Sequence, residues 1–436
     1  MTTRNALALW LTLCVLLGAS SLVLDGLGLA LMAGIAVAAP SLWLCSRLDR
    51  PGLSLMAIFL VALALRWGVC AGINYLVYET RPGLFAPDEI RYDYSGWMYC
   101  LYLEGKIPHP WDGGAVTGVI RLTGVSYYLL GHNVMVPKMI IGVLGAWSAA
   151  LTALMAARLF PAAVARRAGW LAAVFPSLVL WSSVLMKDTT SLVGAQLALL
   201  GFLMISERFS LPALVLLFLG VGVISYERPY EIIFVALAVS AGLLVQGDRR
   251  LLRNSALLVA LSMALFLVIK RSGGDTAALG EGGGSIVDRV AILRAGYASA
   301  NVGSAVNTQI VDTSSAGGLL LWIPIGLVYF FLAPFPFTGG SIISLATSPE
   351  MLLLYWMVPS AWRGLRAALK RRTRGFMALF FYLLISSVGW SIAITNVGTI
   401  YRYRAQILFV PLMLIAADQV RRRESGAALS ASRIGT

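Results

Sequence analysis

The chain reads as an all-α polytopic transmembrane helix bundle of about 11–13 spans, on three observations. Of its 436 residues, 59% are hydrophobic and only 12% charged, with a mean hydropathy of +0.81; a soluble domain is only about 45–50% apolar. Apolar runs close to the length that crosses a bilayer recur from one end to the other. Basic clusters punctuate those runs, and the polar/apolar alternation of a membrane barrel is missing, which leaves helices as the spanning structure.

The elements follow in order. Ala6 to Val23 has Arg4 before it and a second apolar run almost directly after it, so it reads as an uncleaved anchor and not as a signal peptide. Basic clusters at Arg47/Arg50, Arg158/Arg166/Arg167, Arg208, Arg249/Arg250/Arg253, Arg363 through Arg374 and Arg421 to Arg423 mark the cytoplasmic side. Leu27 to Leu44 therefore runs inward and Leu53 to Tyr78 outward. Val134 to Ala157 goes in, Leu171 to Met186 comes out, and Leu192 to Ile205 goes in. Leu214 to Ser225 comes out, Ile232 to Val245 goes in, and Ala256 to Ile269 comes out. Phe376 to Ile394 goes out, and Ile407 to Ala417 returns the C-terminus to the cytoplasm. The runs Leu319 to Ala333 and Met351 to Trp362 join ends on opposite sides, so one of them should be re-entrant or interfacial.

Residues 1–424 thus read as one integral membrane domain with an external acidic loop at 79–115 and an external Gly-rich loop at 270–317; residues 425–436 form a short cytoplasmic tail. The Gly-rich stretch lacks a nucleotide-binding motif and reads as a lid, with an amphipathic segment at 285–298. Both termini read as cytoplasmic. The net charge of +14 is a topology signal with affinity for anionic lipid, not a nucleic-acid signature. Four cysteines without a CxxC, and two distant histidines, His109 and His132, argue against a disulfide framework or a histidine metal site.

Most of the acids fall on the outer side, where polar clusters from distant parts of the chain share one depth. Pro87-Asp88-Glu89 is the densest, with Arg91, Asp93 and several aromatics behind it. Asp88 or Glu89 suits a general base; both also suit the start of a helix, where acids meet the positive end of the dipole. Lys187-Asp188 can contact a lipid phosphate or cap the next helix. Arg228 sits in a very short outer turn. Tyr401-Arg402-Tyr403-Arg404 sets two guanidiniums just before the last span, against the positive-inside trend; arginine matches phosphate bidentately. Arg66 lies halfway along an apolar run and either lines a cavity or pairs with an acid. No cofactor is fixed by these residues, and the carboxylates leave room for a divalent metal.

With an Asp-Glu pair in an early external stretch, many spans and arginines in later outer loops, the chain resembles the GT-C glycosyltransferases. It also resembles bacterial envelope-polysaccharide membrane proteins, through Phe175-Pro176-Ser177 leading to Lys187-Asp188, Ala333-Pro334-Phe335-Pro336-Phe337, and Asn396-Val397-Gly398-Thr399 leading to Arg402-Tyr403-Arg404. The resemblance implies transfer of a sugar from a polyprenyl-phosphate-linked donor to an envelope glycan, lipid or protein. Asp88 would be the base, and Lys187, Arg402 or Arg404 would hold the lipid phosphate, with polysaccharide-assembly proteins as further partners. The acidic stretch follows the third apolar run, where that family places it after the first; two extra N-terminal helices would reconcile the two. A polymerase joining polyprenyl-diphosphate-linked repeat units needs the arginines more than the base. A lipid-linked glycan transporter should show internal repeats and midplane ion pairs, and a scaffold needs neither.

Overall fold

The computed structural model describes residues 26–83, 86–110, 117–246, 286–299, 315–335, 342–371 and 375–434, with isolated positions between them. Every regular element among them is helical. The first run, 6–23, and the run 256–269 lie outside the described residues, apart from two isolated positions in the second.

Helix α1 (Leu27–Leu48) ends where Asp49 turns extended, and the Asp49 carboxylate accepts the Leu55 N–H at 2.9 Å to start α2 (Leu55–Gly72). A π turn, Ile73–Val77, continues α2. Within the acidic stretch 79–115 the chain forms α3 (Asp88–Leu103), which packs against α4 (Gly118–Leu130) just beyond it. Asp88 and Glu89 fill the first turn of α3, and its buried positions Glu89, Tyr92, Ser95, Gly96 and Cys100 recur every three or four residues, so one stripe packs inward. The charge that suggested a loop is the helix's dipole-favoured N-terminus.

Helices α5 (Met135–Leu159) and α6 (Ala162–Val174) follow. The expected span from Leu171 to Met186 is broken: Pro176 forces Phe175 into an extended conformation (ψ 125°), which ends α6. A short α7 (Pro176–Trp181) and a buried irregular segment then lead to α8 (Asp188–Glu207). Such backbone is tolerated at this depth because protein surrounds it. Helices α9 (Leu211–Glu227) and α10 (Glu231–Gln246) complete the first half. α8 and α9 pack very closely: a Cβ on Gly220 would stand 2.3 Å from the Ala198 backbone nitrogen. Small residues at helix crossings are how membrane helices gain van der Waals contact.

The amphipathic segment forms α11 (Ile286–Ser299). It is docked on protein through Arg294, which donates to the Ile392 carbonyl at 2.7 Å, while the Arg294 carbonyl accepts the Thr395 hydroxyl at 2.9 Å. Helices α12 (Ala316–Leu332), α13 (Ile342–Arg371), α14 (Phe376–Ala393), α15 (Val397–Ala405) and α16 (Phe409–Ile434) finish the chain. α13 crosses from Glu350, bonded to Tyr401, to Arg363, paired with Asp418. In α12, Trp322 donates to the Ser391 carbonyl, and its C-terminal carbonyls accept from Arg404. These contacts tie α12 to the ends of α14 and α15.

Five described helices are long and apolar enough to cross a membrane, six if α15 and α16 count as one bent span; three more apolar helices are shorter. α16 continues through residues 425–434 as one helix. The two ends of the bundle differ chemically. One carries Arg158 with Glu207, and Asp418 with Arg363, Arg421 and Arg422. The other carries Asp88, Glu89, Asp188, Arg228 and Arg402.

Candidate active site

The site grows from three chain breaks at that second end. α3 opens on Asp88, α8 opens on Asp188, and α15 is capped by Asn396, whose side chain accepts the Thr399 N–H at 3.0 Å. A bend of 60° between α15 and α16 turns α15 across the bundle and carries Arg402 onto the start of α8.

Five charged side chains then form one alternating row. Glu231 accepts from Arg228 at 3.2 Å, and Arg228 reaches Asp188 at 2.7 Å. Asp188 lies 3.4 Å from Arg402 Nε, and Arg402 Nη1 meets Asp88 at 2.7 Å. Gln406 adds a donor to Asp188 Oδ1 at 2.8 Å. The row runs from interior to surface: the side chains of Arg228 and Asp188 are 0% and 2% exposed, that of Arg402 15%, and that of Asp88 49%. Only its outer end can meet a substrate. Burial opposes the charge on Arg228, but Asp188, Tyr403, Tyr230 and Glu231 together outweigh it and hold the guanidinium's pKa above its ordinary value. The Tyr403 ring lies 4.2 Å from the Arg228 guanidinium and 5.5 Å from that of Arg402.

The remaining sequence-derived residues separate from this row. Glu89, one residue from Asp88, points the other way: it is buried, pairs with Lys138 at 2.6 Å and accepts the Leu185 N–H at 3.1 Å. It holds α3, α5 and the α7–α8 segment together through Oε1, while Oε2 is buried without a hydrogen-bond partner among the described residues; burial, not a lack of free oxygen, sets Glu89 apart from Asp88. Arg404 is likewise committed, donating to the carbonyls of Phe330, Phe331 and Ala333 at 3.2, 3.1 and 2.6 Å. Alternating residues on a helix face nearly opposite sides, so Arg402 and Arg404 cannot share a phosphate. Tyr401 is buried and donates to Glu350 at 2.5 Å. Lys187 is half-buried beside Asp188, with no carboxylate at ion-pair distance among the described residues.

Arg66 is fully buried and donates to the carbonyls of Ala62 and Ala173 at 2.9 and 3.1 Å. With Asp188, Arg402 and Gln406 it lines a cavity of about 10 Å³, the room of a single water. Lys138, Gln406 and Glu350 are further polar residues of this end; Lys138 lies inside an apolar run, while Glu350 and Gln406 sit at the edge of one, and those positions were the only signal. Among the described residues, no three His, Cys, Asp or Glu side chains are placed to hold a metal ion.

No protein-family model matches the chain, and neither does any curated protein. Two solved structures match its fold. Both are ArnT from Cupriavidus metallidurans, one bound to undecaprenyl phosphate (TM-score 0.56) and one in the apo state (TM-score 0.52). Each is 18% identical over 87% of this chain, and the chain spans 62% of their length. At this identity the likeness shows the fold: the chain shares that of these ArnT structures, in line with the GT-C resemblance.

Proposed function

We propose that the protein is a membrane glycosyltransferase that takes a sugar from a polyprenyl-phosphate-linked donor and passes it to a hydroxyl of an envelope acceptor, at the outer face of a bacterial cytoplasmic membrane. The observation that carries this reading is the Asp88–Arg402 pair. A half-exposed carboxylate and a guanidinium, 314 residues apart in sequence, are held together at one end of the bundle, and an ArnT structure of similar fold is bound to undecaprenyl phosphate.

The chemistry follows from the two groups. The acceptor hydroxyl attacks the anomeric carbon, the bond from that carbon to the lipid phosphate breaks, and the acceptor's proton passes to Asp88. Arg402, with Lys187 beside it, stabilises the charge on the departing phosphate. Arg402 pairs with Asp88 at 2.7 Å. A donor phosphate competes for the guanidinium and releases the carboxylate, so the base is freed only when the donor is in place. Asp188 and Arg228 act through Arg402 as positioning residues, buried and paired with one another.

The test uses membranes containing the protein and a panel of radiolabelled polyprenyl-phosphate sugars. Wild type should transfer label from one of them, and Arg402→Ala should lose that transfer together with donor retention. Transfer that survives Arg402→Ala overturns the reading. Normal activity of Asp88→Asn beside an inactive Arg402→Ala would instead favour the polymerase of diphosphate-linked repeat units.

A further inference from the structure

At the opposite end of the bundle, α6 and α16 enclose a second cavity of about 560 Å³. Arg166 and Arg167 from α6 and Arg423 from α16 line it, and none of the three has an acid at ion-pair distance among the described residues. At that end Arg158, Arg363, Arg421 and Arg422 have carboxylate partners, while Arg47, Arg208 and Arg366, like these three, have none among the described residues. Arg167 donates to Gln419, and burial together with the neighbouring Arg423 lowers its pKa. Glu424 is the single carboxylate on the lining.

The cavity also has a direction. α6 runs from the basic end inward, so Arg166 and Arg167 precede Trp170, Leu171 and Val174 along one face at helical spacing. α16 runs the other way and sets Val420 deeper than Arg423. The rim is thus cationic and the depth apolar, with Val174 half exposed. Three guanidiniums around one opening need an anion, and an apolar floor beneath them needs a chain attached to it. A free phosphate satisfies only the first requirement.

We infer that the α6–α16 cavity binds an anionic phospholipid of the membrane, its phosphate between Arg166, Arg167 and Arg423 and its acyl chain along Trp170, Leu171 and Val174. Guanidinium forks match phosphate oxygens, and basic pockets between membrane helices suit anionic headgroups. The site lies at the other end of the bundle from Asp88 and Arg402, and it stands whether or not those residues transfer a sugar.

The test is native mass spectrometry of the purified full chain titrated with phosphatidylglycerol, phosphatidylcholine or inorganic phosphate. Phosphatidylglycerol should bind at least ten-fold more tightly than phosphatidylcholine, and Arg166→Gln/Arg423→Gln should remove that preference. Arg421→Gln, which changes a basic residue outside the cavity, should keep it. If the double variant does not fold, Arg423→Gln alone, at an exposed position, should reduce the preference. Equal binding of the two lipids, a preference unchanged in the variants, or phosphate competing as well as the lipid would overturn the inference.

Discussion

Asp88 and Asp188 both pair with Arg402, yet neutralising each to asparagine should have opposite consequences. Asp88 is half exposed, and exposed ion pairs contribute about 0.2–1 kcal/mol. Asp88→Asn should therefore leave the fold almost intact while transfer drops by about 10²–10⁴-fold, the usual contribution of a positioned base. Asp188 is 2% exposed and faces Arg228, which is 0% exposed. Asp188→Asn leaves Arg228 with only Glu231, and breaking a buried pair costs about 3–5 kcal/mol. For a chain of this length 1 kcal/mol moves a melting temperature by only roughly 1 °C, so heating resolves the two variants poorly. An SDS titration of the purified proteins, read beside transfer activity, separates them. Asp88→Asn should unfold at the wild-type midpoint and be inactive; Asp188→Asn should unfold at clearly lower SDS. The reasoning fails if Asp88→Asn keeps transfer within about threefold of wild type, or if Asp188→Asn unfolds at the wild-type midpoint.

Three further outcomes follow from contacts away from that pair. Glu89→Gln should destabilise the protein by about 3–5 kcal/mol, and Glu89→Gln/Lys138→Met should recover part of the loss in the same SDS titration; a double variant weaker than the single would contradict a structural pair. Gly364→Ala should cost about 1–3 kcal/mol or more and lower the folded yield, because its Cβ would stand 2.1 Å from the Leu414 carbonyl oxygen where α13 meets α16; a normal yield would refute that packing. Arg404→Lys should weaken the fold through lost carbonyl contacts while the folded fraction keeps its KM for donor; a raised KM with unchanged stability would make Arg404 a phosphate ligand after all.

Much of the fold was legible because apolar length and basic clusters are coarse, additive signals. The segregation of Asp88, Asp188, Arg228 and Arg402 to one end followed from the same pattern. What was missed depends on direction. Adjacent Asp88 and Glu89 look alike in sequence, but the helix turns one to the surface and the other onto Lys138. Arg402 and Arg404 differ in the same way, one reaching carboxylates and the other orphan carbonyls at the end of α12. The acidic stretch passed for a loop because its charges masked a packing stripe at helical spacing. The break at Pro176 was hidden by the apolar residues around it, although proline's effect on the residue before it was there to be read. Lys138 gave only a weak signal, since a lone polar residue in an apolar run reveals its partner only when the helices are assembled, and Gln406 stood at the edge of the last run.

The central claim is that Arg402 exchanges Asp88 for a lipid phosphate. A structure of the protein with undecaprenyl phosphate tests it most directly. The phosphate should sit within hydrogen-bond reach of Arg402 and beside Lys187, with the Asp88 carboxylate released and facing the opening. A phosphate bound elsewhere, with the Arg402–Asp88 pair still closed, would contradict the account.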